Sequence, residues 1–289
     1  MHAPALPSPK ARALAALTVV QLLFGTLGPI GKIALPVFGA PGVALARILG
    51  GAVVFGALRL AMGQPRAPRA LQPRLALCAF IGVVANQLLF LEGLSRTSAV
   101  HATLLVTTTP VFTLLAGALL HRERPRAQVL AGVMLSLGGV ALLVGPKLGT
   151  GALLGDLLIL ANTALYATYL VISRPLLAQL PPITVAAGLF AWAAPMVLLV
   201  SGISWPEAPA PALWALGWIV LGPTVGTYLL NLMALRQVPA TLVGLFISLQ
   251  PFVAAALALP LLGEVPGPRE ALAAALSLGG IVLASRASA

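Results

Sequence analysis

Charge is what this sequence lacks most. Of 289 residues only 8% are Asp, Glu, Lys or Arg, just six are acidic, and 60% are hydrophobic. So few polar groups cannot cover the surface of a globule, which excludes a water-soluble domain. Cysteine is nearly absent too: Cys78 stands alone, so neither an intrachain disulfide nor a cysteine-rich metal site can form. The three histidines, His2, His101 and His121, make no ligand cluster, and there is no nucleophile elbow, phosphate loop or zinc-helix signature. No metal and no cofactor is therefore expected. Ser201-Gly202 superficially has the form of a serine nucleophile but lacks a plausible histidine partner, which leaves an intramembrane hydrolase only as the enzyme alternative. Aromatics are at 6%, and the apolar runs do not alternate in ten-residue segments, so an outer-membrane barrel is disfavoured.

What the sequence has is long apolar runs. Cut at charges, prolines and glycines, they give ten spans near 12–34, 41–62, 74–94, 97–119, 127–145, 152–172, 183–202, 212–234, 240–262 and 269–286. Runs of about 20 residues, rising roughly 1.5 Å each, reach across the ~30 Å hydrocarbon core of a bilayer. The expected class is an all-α membrane protein. Connections such as Arg122-Glu123-Arg124-Pro125-Arg126 are short enough to join neighbouring antiparallel helices. The first span follows Lys10 and Arg12 as a signal peptide would, but its apolar stretch exceeds the usual ~7–15 residues, so it reads as retained. Residues 1–11 read as an N-terminal tail.

Residues 91–142 repeat as residues 232–283 at a constant offset of 141, with 14 of 52 positions identical. Pro110 falls on Pro251, Glu123 on Glu264, and Leu135-Ser136-Leu137-Gly138-Gly139 on Leu276-Ser277-Leu278-Gly279-Gly280. Two five-span repeats follow, 12–145 and 152–286. Because five is odd, the second copy enters the membrane from the opposite side, so the repeats are inverted. Inverted repeats yield two mirror conformations from one sequence, with a solute site where they meet, and this implies transport.

Basic residues set the orientation, since Lys and Arg stay preferentially on the cytoplasmic side. With the N-terminus inside, twelve fall there and four outside, namely Lys32, Arg96, Lys147 and Arg269, with Arg47 left inside the second span. The expected setting is a bacterial inner membrane with both termini cytoplasmic. The net charge of +11 is then topological. A nucleic-acid partner is not expected, because the charges are scattered over short loops without aromatic platforms.

The chain resembles the ten-helix EamA-type members of the drug/metabolite transporter superfamily. The likeness is carried by Asn86-Gln87-Leu88-Leu89-Phe90, Leu94-Ser95-Arg96-Thr97-Ser98-Ala99, Thr109-Pro110, Arg122-Glu123-Arg124 and Gly138-Gly139. The second copy adds Ala234-Leu235, Pro239-Ala240, Gln250-Pro251, Gly263-Glu264 and Gly279-Gly280. Gly25 to Lys32 and Pro41 to Arg47 also look like that family's first two helices. The resemblance implies carriers of small metabolites, often exporters of amino acids, with a cavity lined mainly by helices 1, 3, 4, 6, 8 and 9.

Mid-depth polar side chains mark the same helices independently, since hydrocarbon offers them no water. Asn86, Gln87, Thr107, Thr108, Asn162, Tyr166, Thr227, Tyr228, Ser248 and Gln250 are the candidate substrate contacts. Uncharged donors and acceptors at this density suit a polar or zwitterionic small molecule, amino-acid-like in character. The competing role for the hydroxyls is bonding to their own helix, and for the amides, interhelix glue. Pro110 and Pro251 free backbone carbonyls and are candidate hinges.

Lys32, Glu92 and Arg174 are candidate gate or mouth charges. Lys32 either snorkels to water or meets an anionic group at the outer mouth, Arg174 does so at the inner one, and Glu92 is spaced to pair with Arg96. Glu92, His101 and Asp156 are the titratable groups within spans, but all lie nearer the outer ends than the centre, so the sequence assigns none of them to proton coupling. A facilitator or exchanger needs no such group, and a channel is a further alternative. Gly132, Ser136 and Gly139 fit close helix contacts within a protomer or between two, and the sequence does not choose between monomer and homodimer.

Overall fold

The computed structural model describes residues 9–121, 127–144, 151–201 and 206–286. Among these there are helices and no strand, as an all-α membrane protein requires, because only closed hydrogen-bonded backbones are stable in lipid. The helices are α1 (Pro9–Ala61), α2 (Gln72–Ala79), α3 (Asn86–Arg96), α4 (Ala99–Val106), α5 (Thr109–His121), α6 (Ala127–Val144) and α7 (Gly151–Leu177). They continue as α8 (Pro182–Ser201), α9 (Ala210–Val220), α10 (Thr227–Leu235), α11 (Ala240–Phe246), α12 (Gln250–Leu262) and α13 (Pro268–Arg286). Among the described residues, seven stretches are long and apolar enough to cross a bilayer: Ala11–Ala61, Arg69–Arg96, Ala99–Leu120, Ala152–Leu177, Pro182–Ser201, Ala210–Leu235 and Leu242–Leu262.

The longest helix is two in one. α1 has 53 residues, about 80 Å at 1.5 Å per residue and far more than one crossing, but Gly39 inside it has φ 65 and ψ 170. That left-handed φ is open to glycine and strained for other residues, so the chain turns there between two helical pieces. The sequence-based spans 12–34 and 41–62 correspond to those pieces.

Four single spans expected from the sequence are broken in the middle, and the breaks are informative. A π-helical turn, Phe80–Ala85, separates α2 from α3, and another, Leu221–Gly226, separates α9 from α10. Their bounds differ by 141, the sequence offset of the two copies. The expected span 97–119 is α4 and α5 split at Thr107 and Thr108, and 240–262 is α11 and α12 split by a 3-10 turn at Ile247–Leu249. Irregular backbone thus recurs at matching places, as it does where helices line a cavity.

Packing follows the same pairing. α4 lies on α12 while α11 lies on α5, and α6 lies along α13, with α1 running through the centre against α3, α8, α9, α10 and α12. A Cβ on Gly139 would come within 2.4 Å of the Ser277 hydroxyl, so the small-residue stripe seats α13 within the same chain. Between α3 and α7 the backbones nearly touch. A Cβ on Gly155 would lie 2.8 Å from the Arg96 Cβ and 3.0 Å from the Gly93 carbonyl. This contact fixes where the start of α7 sits against the end of α3.

The loop at Arg122, Glu123, Arg124, Pro125 and Arg126 lies outside the described residues, as do Lys147, Gly202 and residues 1–8 of the N-terminal tail.

Candidate functional site

The two π turns are each tied to the other half of the chain. Each widened turn frees a carbonyl from its helix. In the first copy the Tyr228 hydroxyl donates to the Gly82 carbonyl at 2.8 Å, and in the second the Arg47 guanidinium donates to the Pro223 carbonyl at 3.3 Å. Residues 82 and 223 are again 141 apart. Arg47 also donates through Nε to the Thr224 hydroxyl at 2.8 Å, and that hydroxyl passes its own proton to the Ile219 carbonyl. Tyr228 is braced from the side by Phe190, edge-on at 5.0 Å between centroids.

Around these ties is a small polar cavity of about 60 Å³. At ~10–15 Å³ per water it has room for a handful of waters, so the site is close to shut. Its wall includes Arg47, Asn86, Gln87, Asn162, Tyr166, Tyr228 and Gln250, with Phe24 and Phe90 supplying apolar surface. Asn86 and Asn162 clasp each other's backbone: each side-chain amide donates to the other's carbonyl, at 3.3 and 2.8 Å. Gln250 donates to Gln21 at 2.6 Å, and the Tyr166 hydroxyl accepts from Asn231 at 2.8 Å.

Two groups stand out in this wall. Arg47 is 2% exposed, and the ion pairs among the described residues, Arg96 with Glu92 and His101 with Asp156, do not include it. A guanidinium sealed in a membrane interior is energetically expensive unless it is paired or hydrogen-bonded, and Arg47 has the Thr224 hydroxyl and the Pro223 carbonyl but no carboxylate. Gln87 is 1% exposed and lies beside the Tyr228 hydroxyl, yet neither its amide oxygen nor its nitrogen completes a hydrogen bond of good geometry. A buried amide left unsatisfied costs roughly 1–3 kcal/mol and calls for an explanation.

Six of the ten candidate contacts therefore share one cavity: Asn86, Gln87, Asn162, Tyr166, Tyr228 and Gln250. The other four do not line it. Thr107 and Thr108 donate to the carbonyls of Leu104 and Leu105, at 2.6 and 2.7 Å, and Thr109 to that of Val106. These hydroxyls satisfy the backbone that the break between α4 and α5 leaves open. Thr227 likewise donates to Pro223, and Ser248 borders a separate apolar recess between α4 and α12. Pro110 and Pro251 sit in the first turns of α5 and α12, where a missing N–H is harmless, so they start half-helices rather than bend continuous ones. Thr108→Val is accordingly expected to lower the thermal midpoint, by the loss of about 1 kcal/mol, and to leave the apparent substrate affinity unchanged. Parallel melting and flux titrations check this. Gln21 and Arg47 were not among the candidate contacts. Arg47, a charge stranded within a span, suits an ion pair or carbonyl contacts rather than substrate binding when read from the sequence, and its bond to the Pro223 carbonyl is such a contact.

The two ends of the bundle differ. At one end Glu264 accepts from the backbone N–H groups of Ala99 and Val100, at 3.2 and 3.3 Å, capping the start of α4, and Lys32 interacts electrostatically with it. Glu92 pairs with Arg96 on α3, as their spacing predicts. At the other end recesses of about 680 and 400 Å³ share Arg236, the first bordered by exposed Arg174 and Ala240, the second by Arg12 and Gln237. One end is capped and the other is open.

The family model described as EamA-like transporter family matches residues 11–145 and again 153–286. The chain belongs to the EamA-like transporter family. It is 28% identical over 284 residues to a probable terminal-alkyne amino-acid exporter of Streptantibioticus cattleyicolor, covering 95% of this chain and 94% of that protein. It is also 28% identical over 217 residues to an uncharacterized transporter of Archaeoglobus fulgidus, covering 72% of this chain and 74% of that one. A solved crystal structure shares the fold, with a TM-score of 0.69 at 22% identity over 95% of this chain and 97% of the other. This EamA-family chain is thus a membrane transporter.

Proposed function

We propose that this EamA-family chain is a ten-helix carrier. It is built from two inverted five-helix repeats, 12–145 and 152–286, and moves a small zwitterionic, amino-acid-like metabolite across the bacterial inner membrane by alternating access. Export is the proposed direction, with both termini cytoplasmic. The observation that carries the substrate class is the sealed Arg47 guanidinium without a carboxylate, beside the unsatisfied Gln87 amide, in a cavity between the two halves. A substrate carboxylate fits the cation, and the carbonyl oxygens of Asn86, Asn162 and Gln87 suit an ammonium group. The name of the Streptantibioticus relative supports both the amino-acid class and the outward direction.

The exchange of packing partners supports the repeat: α4 on α12 and α11 on α5 are what a two-fold relation between copies produces. One capped end and one open end support alternating access, because the mirror state swaps them. The test is counterflow in proteoliposomes holding unlabelled L-propargylglycine or a neutral L-amino acid, with the labelled compound outside. Trans-stimulated uptake is expected. Uptake without trans-stimulation would identify a channel, and no uptake of any neutral amino acid would overturn the substrate class.

A further inference from the structure

Three titratable or polar side chains that the sequence leaves apart are brought together at the capped end. The Thr97 hydroxyl donates to Asp156 Oδ1 at 3.0 Å, and His101 Nε2 lies 3.3 Å from Asp156 Oδ2. Asp156 is fully buried and His101 is 4% exposed. Asp156 is held there by the touching backbones of α3 and α7, since it directly follows Gly155. It belongs to α7 in the second half, whereas Thr97 and His101 flank the first turn of α4 in the first half. Glu264, also from the second half, caps the same turn at Ala99 and Val100. The carboxylates of Asp156 and Glu264 thus both tie α4's start to the second half.

We propose that Asp156 and His101, with Thr97, form a proton-binding site whose loading releases the start of α4 and opens this end of the bundle. With one proton shared, the pair is neutral overall, whether as imidazolium and carboxylate or as imidazole and carboxylic acid. A second proton, taken from water at that end, forms an O–H bond on Asp156 if the first sits on His101, or an N–H bond on His101 if the first sits on Asp156, and either way leaves imidazolium beside a neutral acid. The attraction across the α4–α7 contact is then gone and a net positive charge is left in an apolar setting, which favours the conformation that lets water in. Because the closed form disfavours the doubly protonated pair, falling pH shifts the population toward the open form.

The other charges on the surrounding elements are already engaged. Glu92 and Arg96 on α3 pair with each other, and Lys32 on α1 interacts with Glu264. Arg47 is held by Thr224 and Pro223, Arg269 on α13 donates to the Leu142 carbonyl, and Glu270 accepts from the Gly267 N–H. The proton-binding step stands on this geometry. That its opening serves transport rests on the carrier reading above.

Asp156 is the sole aspartate in the sequence, so protein made with side-chain ¹³C-aspartate gives one carboxyl resonance. In the full-length chain in lipid nanodiscs, that resonance is expected to titrate as pH is lowered, with a midpoint displaced in His101→Gln. Hydrogen exchange across residues 97–106, corrected for its intrinsic pH dependence, is expected to rise about threefold or more as pH falls through the same titration and to lose that rise in Asp156→Asn. A resonance indifferent to pH, or a midpoint unmoved in His101→Gln, overturns the proposal, as does an exchange rise that persists in Asp156→Asn. If Asp156→Asn does not fold, the resonance and His101→Gln decide alone. Absent counterflow with an intact titration removes the carrier reading and leaves the proton site standing.

Discussion

Arg47→Met protein, reconstituted beside the wild type, is expected to lose counterflow of neutral amino acids by about one to two orders of magnitude at fixed low substrate. A charged hydrogen-bonded contact contributes about 1.5–3 kcal/mol, and each 1.4 kcal/mol is tenfold in affinity. Arg47→Lys is expected to recover little, because the fork of donors that holds the Thr224 hydroxyl and the Pro223 carbonyl is lost with the guanidinium. Gln87→Leu provides the sharper contrast. If the amide exists for substrate, removing it costs roughly tenfold in affinity while stability stays level or rises, because a desolvated polar group has been deleted from an apolar surround. If the amide is interhelix glue, stability and transport fall together. Melting curves and flux on the same preparation separate the two outcomes.

The all-helical class and the duplication were legible because they are one-dimensional signals, carried by run length, charge and a constant offset. Six cavity residues were legible for a related reason: amides and phenols in mid-span have few places to go but inward. The threonines are ambiguous in a sequence because a hydroxyl can satisfy itself locally. Thr107 and Thr108 advertise polarity in the sequence yet give it to Leu104 and Leu105 carbonyls at a helix break that no periodicity reveals. Pro110 was visible, but whether it bends a helix or begins one depends on the φ and ψ of the residues before it. His101 and Asp156 were invisible as a pair, since 55 positions separate them and only the Gly93–Gly155 approach brings their helices together. The π turns had no sequence signature at all. What makes them recognisable is that they recur 141 residues apart and that each gives a carbonyl to the opposite half.

A cysteine in place of Glu123 and a cysteine in place of Glu264 are expected to be labelled from opposite faces of the membrane by an impermeant maleimide. Native Cys78 is buried and does not compete. The two acids occupy equivalent positions of the repeat, so one-sided labelling would sink the inverted topology and alternating access with it. The same pair makes a functional prediction. Glu264 caps the start of α4 at the closed end, and a charged acceptor at a helix N-terminus contributes about 0.5–2 kcal/mol. Glu264→Gln therefore weakens the conformation in which that end is closed, and shifts the balance between the two states by a few-fold or more toward opening there. By the offset of 141, the start of α11 at Ala240 is the counterpart of the start of α4 at Ala99. In the mirror conformation Glu123 is proposed to cap α11, so Glu123→Gln biases the carrier the other way. Accessibility of reporter cysteines at the two mouths should move in opposite directions in the two variants. A shift of both variants in the same direction is incompatible with two copies that exchange conformations, because the exchange requires each acid to stabilise the state in which the other is released.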